Sequence, residues 1–192
     1  AIGVYTPLAA LADLWGTAFL KQKFALERGD AAHTSMMMYV GLALGSLILP
    51  WVCERYNQLN RGIQICGIFL FLTFALLLYG PSFSPGTLSL LLILIGFMCG
   101  AEMMCFTGTA LYTQAENSGI TLGLVNTMNM LGGAVLQYLI GFGLDWQWQG
   151  TYDAHALRTY STQEFTYALT SLLFVIGLCC LLSIGLKPKK MR

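Results

Sequence analysis

Two acidic residues, Asp13 and Glu102, draw attention because each lies inside a long apolar stretch of the sequence. An ionised carboxylate in hydrocarbon is costly unless protein or water meets it. Burial favours the neutral carboxyl, so such a group can bind and release a proton near neutral pH. Two interpretations stay open for each residue. It is either a proton-binding group or a structural carboxyl, held protonated or paired with a neighbouring helix.

A second polar pattern follows Glu116, where Asn126, Asn129, Gly133 and Gln137 recur at steps of three and four. This spacing puts the four residues on one face of a helix. Their amides could face a small molecule, or they could form hydrogen bonds between helices, and both interpretations stay open. The residues expected to line a cavity are Asp13, Thr17, Tyr39, Glu102, Thr109, Asn126, Asn129 and Gln137.

The composition indicates that these residues lie in a membrane. Apolar residues make up 56% of the 192 residues and charged residues 10%, where a soluble domain carries about a quarter charged residues. The charge-free stretches are each long enough for a span of about 20 residues, and their continuous apolar character favours helices over a barrel. The sequence predicts an all-α membrane protein of six transmembrane helices in one bundle, over residues 1–24, 31–53, 62–79, 87–112, 119–144 and 165–186.

Other classes of protein fit the sequence poorly. The net charge of +1 and the lack of a basic patch give no sign of nucleic-acid binding. The six cysteines lack metal-ligand spacing, so neither a metal nor another cofactor is expected. His33 and His155 lie outside the predicted spans and no Gly-x-Ser-Gly occurs, which argues against an intramembrane enzyme. Lys and Arg are slightly more numerous on the side of the termini, mainly in residues 187–192, which favours cytoplasmic ends.

The second and fifth spans share a spacing: a glycine, a small residue or proline nine positions later, and an acid thirteen positions later (Gly41, Pro50 and Glu54; Gly132, Gly141 and Asp145). The second copy comes three spans after the first, so the two copies cross the bilayer in opposite directions. Inverted repeats of this kind occur in secondary transporters. We therefore expect two inverted three-helix repeats, residues 1–80 and 86–192. The third and sixth spans carry few polar residues and should lie outermost.

Glycines are placed where helices could approach closely. Three pairs of glycines lie four positions apart: Gly41 and Gly45, Gly96 and Gly100, and Gly119 and Gly123. Small residues at this spacing allow close helix contact in membranes. The glycines expected to pack helices are Gly96, Gly100, Gly119, Gly123, Gly132, Gly133 and Gly141.

Two stretches of the sequence resemble the major facilitator superfamily. Gly41 and Gly45, followed by Pro50 and then Glu54-Arg55, resemble the loop motif after the eighth helix of that family. The stretch from 119 to 145 resembles the eleventh helix, and Leu14-Trp15-Gly16 resembles the end of the seventh. Two departures are Pro50, where the family has glycine, and Glu54, where it has aspartate.

The resemblance implies the C-terminal half of a twelve-helix protein in which a substrate binds between two six-helix bundles. It implies secondary transport of a small solute, coupled to protons through Glu102 or Asp13, with Gly41, Gly45, Glu54 and Arg55 as a gating motif. The implied partners are the lipid bilayer, the solute and the N-terminal half. The implied location is a bacterial inner membrane or plasma membrane. The alternatives are a self-contained six-helix transporter or pore acting as a homodimer, and, more remotely, an intramembrane enzyme.

Overall fold

The computed structural model describes residues 1–152 and 156–185, and these residues form six helical segments. The first, α1, runs without a break through Ile2–Pro7, Leu8–Trp15 and Gly16–Phe24, and α4 consists of Pro85–Cys99 and Ala101–Tyr112 joined at Gly100. The others are α2, α3, α5 and α6, which span Arg28–Arg55, Leu59–Tyr79, Ser118–Gln147 and Thr162–Ile184. No strand occurs in the described residues.

Five of these segments, α2 to α6, are long and apolar enough to cross a membrane. The remaining segment, α1, is divided into three parts because its helical winding changes along its length. Leu8–Trp15 is π-helical, with ordinary α-helix on either side. The prediction of an all-helical integral membrane protein is confirmed. The basic tail at 187–192 and His155 lie outside the described residues.

The widened winding of α1 begins directly after Pro7. Proline has no backbone N–H, so one rung of the α-helical hydrogen-bond ladder is missing there. π-helical turns inside α-helices are rare, and many of those that occur lie at functional sites. This wide turn also leaves backbone carbonyl groups that side chains of neighbouring helices can reach.

The closest contact in the bundle joins α2 to α4 through four glycines. A Cβ atom added to Gly41 would collide with the backbone of Ile93, and one added to Gly45 with the backbone of Phe97. From the other helix, a Cβ on Gly96 would collide with the Met38 backbone and one on Gly100 with Gly45 itself. The two helices therefore touch backbone to backbone, which only glycine permits.

The glycines of α5 divide into two groups. Gly132 faces Ile2, Gly133 faces Tyr5 and Ala9, and Gly141 faces Trp15, so these three pack α5 on α1. Gly119 and Gly123 differ, since no described atom lies within 4 Å of the place where a Cβ would be. The helix contact expected at these two residues is absent from the described part of the chain, because the first turns of α5 do not press against another helix there.

The arrangement of the helices puts α1 in the middle, where it contacts all five of the others. The third and sixth helices pack against each other. Their outer faces are apolar and exposed, for example Leu72 on α3 and Phe174 on α6. An apolar face without protein contact suits lipid. Neither α3 nor α6 is the most central helix, which agrees with the expectation for these two.

The connection from α5 to α6 folds over the end of the bundle. Asp145 accepts hydrogen bonds from Arg158 at 2.9 Å and from Tyr160 at 2.7 Å. The Arg158 guanidinium also stacks on the Trp148 ring, 4.5 Å from its centroid. Burial and the hydrogen bond to Asp145 raise the pKa of Tyr160, so its hydroxyl stays a donor at neutral pH. Glu164 completes a capping box with Ser161 at the start of α6.

Candidate functional site

Glu102 and Asn129 meet in the interior of the bundle. The Asn129 Nδ2 group donates to Oε1 of Glu102 at 2.8 Å. Glu102 keeps 8% of its surface exposed and Asn129 none. No Lys or Arg side chain in the described residues forms an ion pair with Glu102. A carboxyl in this position faces protein rather than lipid, and its one side-chain partner is a neutral amide.

Asp13 and Tyr39 form a second polar pair between α1 and α2. The Tyr39 hydroxyl donates a short hydrogen bond to Oδ1 of Asp13. Both residues are exposed, and Tyr39 keeps 40% of its surface. The pair therefore lies on a face that no described helix covers.

Tyr5 on α1 lies near both pairs. Its hydroxyl is 3.5 Å from the sulfur of Met130, the residue that follows Asn129 on α5. The sequence analysis did not single out Tyr5, although a tyrosine eight positions before Asp13 on the same apolar segment was a usable signal. Together the pairs and Tyr5 form a polar cluster, defined here as Tyr5, Asp13, Tyr39, Glu102 and Asn129.

Gln137 lies apart from this cluster and binds the backbone of α1. Its Nε2 donates to the carbonyl oxygen of Ala9 at 2.7 Å, inside the π-helical stretch. On the other side, the Ser35 hydroxyl donates to the carbonyl oxygen of Leu11 at 3.3 Å. The two side chains satisfy carbonyl groups of the widened winding. The sequence analysis missed Ser35 because the winding of α1 has no clear signal beyond Pro7.

The remaining cavity candidates are dispersed. Asn126 is exposed, Thr17 is half-buried, and Thr109 donates to the Cys105 carbonyl of its own helix at 2.9 Å. Thr109 lines a largely apolar cavity of about 620 Å³ near the start of α1, which also includes Gly67 and Gly108. None of the five residues of the polar cluster lines this cavity. Within residues 1–152 and 156–185, no three His, Cys, Asp or Glu side chains are grouped to hold a metal ion.

The gating motif lies at the end of α2. Glu54 and Arg55 are exposed, and the single ion pair in the described part of the chain is Asp145–Arg158. Gly41 and Gly45 lie in the tight contact with α4. The middle of α2 is therefore in backbone contact with α4, while the two charges lie exposed at its end.

We expect Glu54→Gln to change the balance between inward-open and outward-open states of the full-length protein. An acid at this position can meet a positively charged helix N-terminus of the other bundle, and the amide removes that attraction. Cysteine labelling from each side of the membrane measures the balance, with Glu116→Gln as a control for an exposed acid elsewhere. An unchanged labelling pattern in Glu54→Gln would exclude the gating role.

Comparison with known proteins places this geometry in a known fold. The chain superimposes on the inward-open xylose transporter XylE from E. coli with a TM-score of 0.75, at 13% sequence identity, over 97% of this chain and 46% of that one. The chain has the fold of about half of that transporter. It is also 24% identical, over 128 residues, to the gentisate transporter of Corynebacterium glutamicum.

The similar region is only part of either relative. The alignment covers 66% of this chain and 28% of the gentisate transporter. No family model matches the chain. Both neighbours are transporters.

Proposed function

We propose that this chain is the C-terminal half of a secondary transporter for a small solute and that Glu102 carries the coupling proton. The observation behind this proposal is the hydrogen bond between the Glu102 carboxyl and the neutral Asn129 amide inside a membrane span. A carboxylate without a Lys or Arg partner in such a place is a good candidate for reversible protonation. The names of the two relatives, one for gentisate and one for xylose, support transport as the overall activity.

In this proposal the exposed Asp13–Tyr39 pair faces the solute. The Tyr39 hydroxyl and the Asp13 carboxylate lie on an uncovered face, whereas the Glu102 carboxyl is buried in the bundle. Symport would require solute binding at Asp13 and protonation of Glu102 to be linked, and the transport assay below tests the protonation step.

The partner that closes over this face is proposed to be the N-terminal six-helix half of the same transporter. A second copy of the chain is the alternative. We also propose that residues 1–80 and 86–192 are inverted repeats and that both ends are cytoplasmic in a bacterial inner membrane. The central position of α1 and the outer positions of α3 and α6 are consistent with this arrangement.

The test is Glu102→Gln in the full-length protein, reconstituted in proteoliposomes with labelled gentisate as the first solute. We expect the variant to lose accumulation driven by a proton gradient, because glutamine cannot release a proton. Exchange of internal for external solute should continue, since exchange needs no net proton transfer.

Glu116→Gln provides the matched control because Glu116 is an exposed acid outside the cluster. It should accumulate gentisate as the unmodified protein does. Full retention of uphill transport in Glu102→Gln would show that Glu102 is not the proton carrier. If the unmodified protein does not transport gentisate, gentisate is not the solute, and the same comparison is made with xylose.

A further inference from the structure

The Asn129 side chain has an unused acceptor. Its Nδ2 donates to Oε1 of Glu102, but its Oδ1 atom is buried and accepts no hydrogen bond from the described residues. Asn129 has no exposed surface. Buried polar atoms without a partner are uncommon in proteins, and each one asks for an explanation.

The chemistry of the Asn129 amide and the Glu102 carboxyl provides an explanation for this unused acceptor. A primary amide presents an N–H donor and a C=O acceptor side by side, and a protonated carboxyl presents a C=O acceptor and an O–H donor in the same way. The two can pair through two parallel hydrogen bonds. An ionised carboxylate has no donor, so it can use the N–H of the amide but leaves the amide oxygen empty.

We propose that the proton taken up by Glu102 is held between Oε2 of Glu102 and Oδ1 of Asn129, which closes a doubly hydrogen-bonded pair across the α4–α5 contact. This inference rests on the proposed role of Glu102. The proton comes from water and returns to water, and no covalent bond other than O–H forms or breaks. Asn129 is thus a positioning residue that stabilises the protonated state.

Other titratable groups near Glu102 cannot take this place. Those that lie near it are Tyr5 from α1 and the thiols of Cys99 and Cys105 on α4 itself. None of these has an amide's paired donor and acceptor, and Asn129 is the residue from α5 in direct contact. The pairing also links α4 to α5 more tightly when Glu102 is protonated, so the proton acts on the contact between two helices.

The experiment is an infrared pH titration of the purified full-length protein, which needs no solute because pH is the probe. The carbonyl band of protonated Glu102 is identified by its loss in Glu102→Gln. In Asn129→Leu we expect the band to move to higher frequency, because the O–H group no longer has an acceptor.

The frequency of the band separates two roles of Asn129. If its N–H served only the carboxylate, the O–H group of protonated Glu102 would have no amide acceptor to lose, and the band would keep its frequency in Asn129→Leu. If the amide oxygen holds the proton, the band moves to higher frequency. An unmoved band in Asn129→Leu would therefore overturn the inference.

Asn126→Leu is the matched control, since it removes an exposed amide one turn away on the same helix. It should leave the frequency of the Glu102 band unchanged, whatever its effect on solute affinity. If no carbonyl band disappears in Glu102→Gln, the proposed proton carrier itself is wrong. If that band exists and keeps its frequency in Asn129→Leu, only the present inference is wrong.

A measurement on the unmodified sequence keeps the inference testable if Asn129→Leu does not fold. Isotope-labelled asparagine reports the side-chain amide carbonyl directly. We expect one asparagine band to move to lower frequency as Glu102 is protonated, and to stay fixed in Glu102→Gln. An asparagine spectrum that does not respond to the protonation of Glu102 would overturn the proposed pairing.

Discussion

Gly96→Val is expected to abolish stable folding of the helix bundle. The smallest side chain, a Cβ alone, would already collide with the backbone of Met38 on α2. Backbone atoms cannot move aside as a flexible side chain does, so α2 and α4 would have to separate along their whole contact. Overpacking typically costs about 1–3 kcal/mol where side chains can adjust, and the cost here should exceed that range. The yield of monodisperse protein and its melting temperature measure the effect.

Gly123→Val is the matched control, because no described atom lies within 4 Å of a Cβ at that position. Both exchanges replace a helical glycine by the same β-branched residue, so the two variants differ mainly in whether the new side chain meets a neighbouring helix. We expect Gly123→Val to be purified in normal yield. Equal yields and equal melting temperatures for the two variants would mean that the α2–α4 contact does not require glycine at position 96.

The fold could be predicted largely from the absence of charge. Long apolar stretches with few or no charges indicated all six helices, because about 20 such residues are needed to cross the hydrocarbon core. The predicted ends of the helices were less accurate where charged residues flank the apolar stretch. The second span was predicted from residue 31, whereas α2 begins at Arg28 and ends at Arg55. Helices continue into water beyond the apolar region, so apolar length underestimates helical length.

The winding of α1 could not be predicted, and this had consequences for the site. Pro7 was visible in the sequence, but a proline alone does not tell whether a helix kinks or widens its winding. The side chains that bond carbonyls of the widened stretch come from other helices, Gln137 on α5 and Ser35 on α2. A pattern within one helix does not contain that information.

The polar stripe of α5 was predicted correctly as one helical face but not in its partners. Asn129 is buried against Glu102, Gln137 binds the backbone of α1, and Asn126 is exposed. The stripe is long enough to cross from the interior to the surface, so its members meet different neighbours. Periodicity gives the face of a helix, and tertiary packing decides what each residue on it meets.

Gln137→Met should destabilise the protein by about 1 kcal/mol, because the hydrogen bond from its Nε2 to the Ala9 carbonyl is lost. Methionine is nearly as long as glutamine and fills the same space, so the exchange removes the N–H donor with little loss of packing. The π-helical stretch of α1 should be affected most, because Ala9 lies in it. Hydrogen exchange of the α1 amides should therefore accelerate together with a lower melting temperature.

Gln114→Met tests whether the exchange itself is harmful, because Gln114 is exposed in the turn between α4 and α5. Its melting temperature and the exchange of α1 amides should match the unmodified protein. A Gln137→Met protein with unchanged α1 protection would mean that the widened winding is stable without its side-chain donor. The stabilisation would then have to come from α1 itself, and the hydrogen bond from Gln137 would be a consequence of the π-helical turn rather than its support.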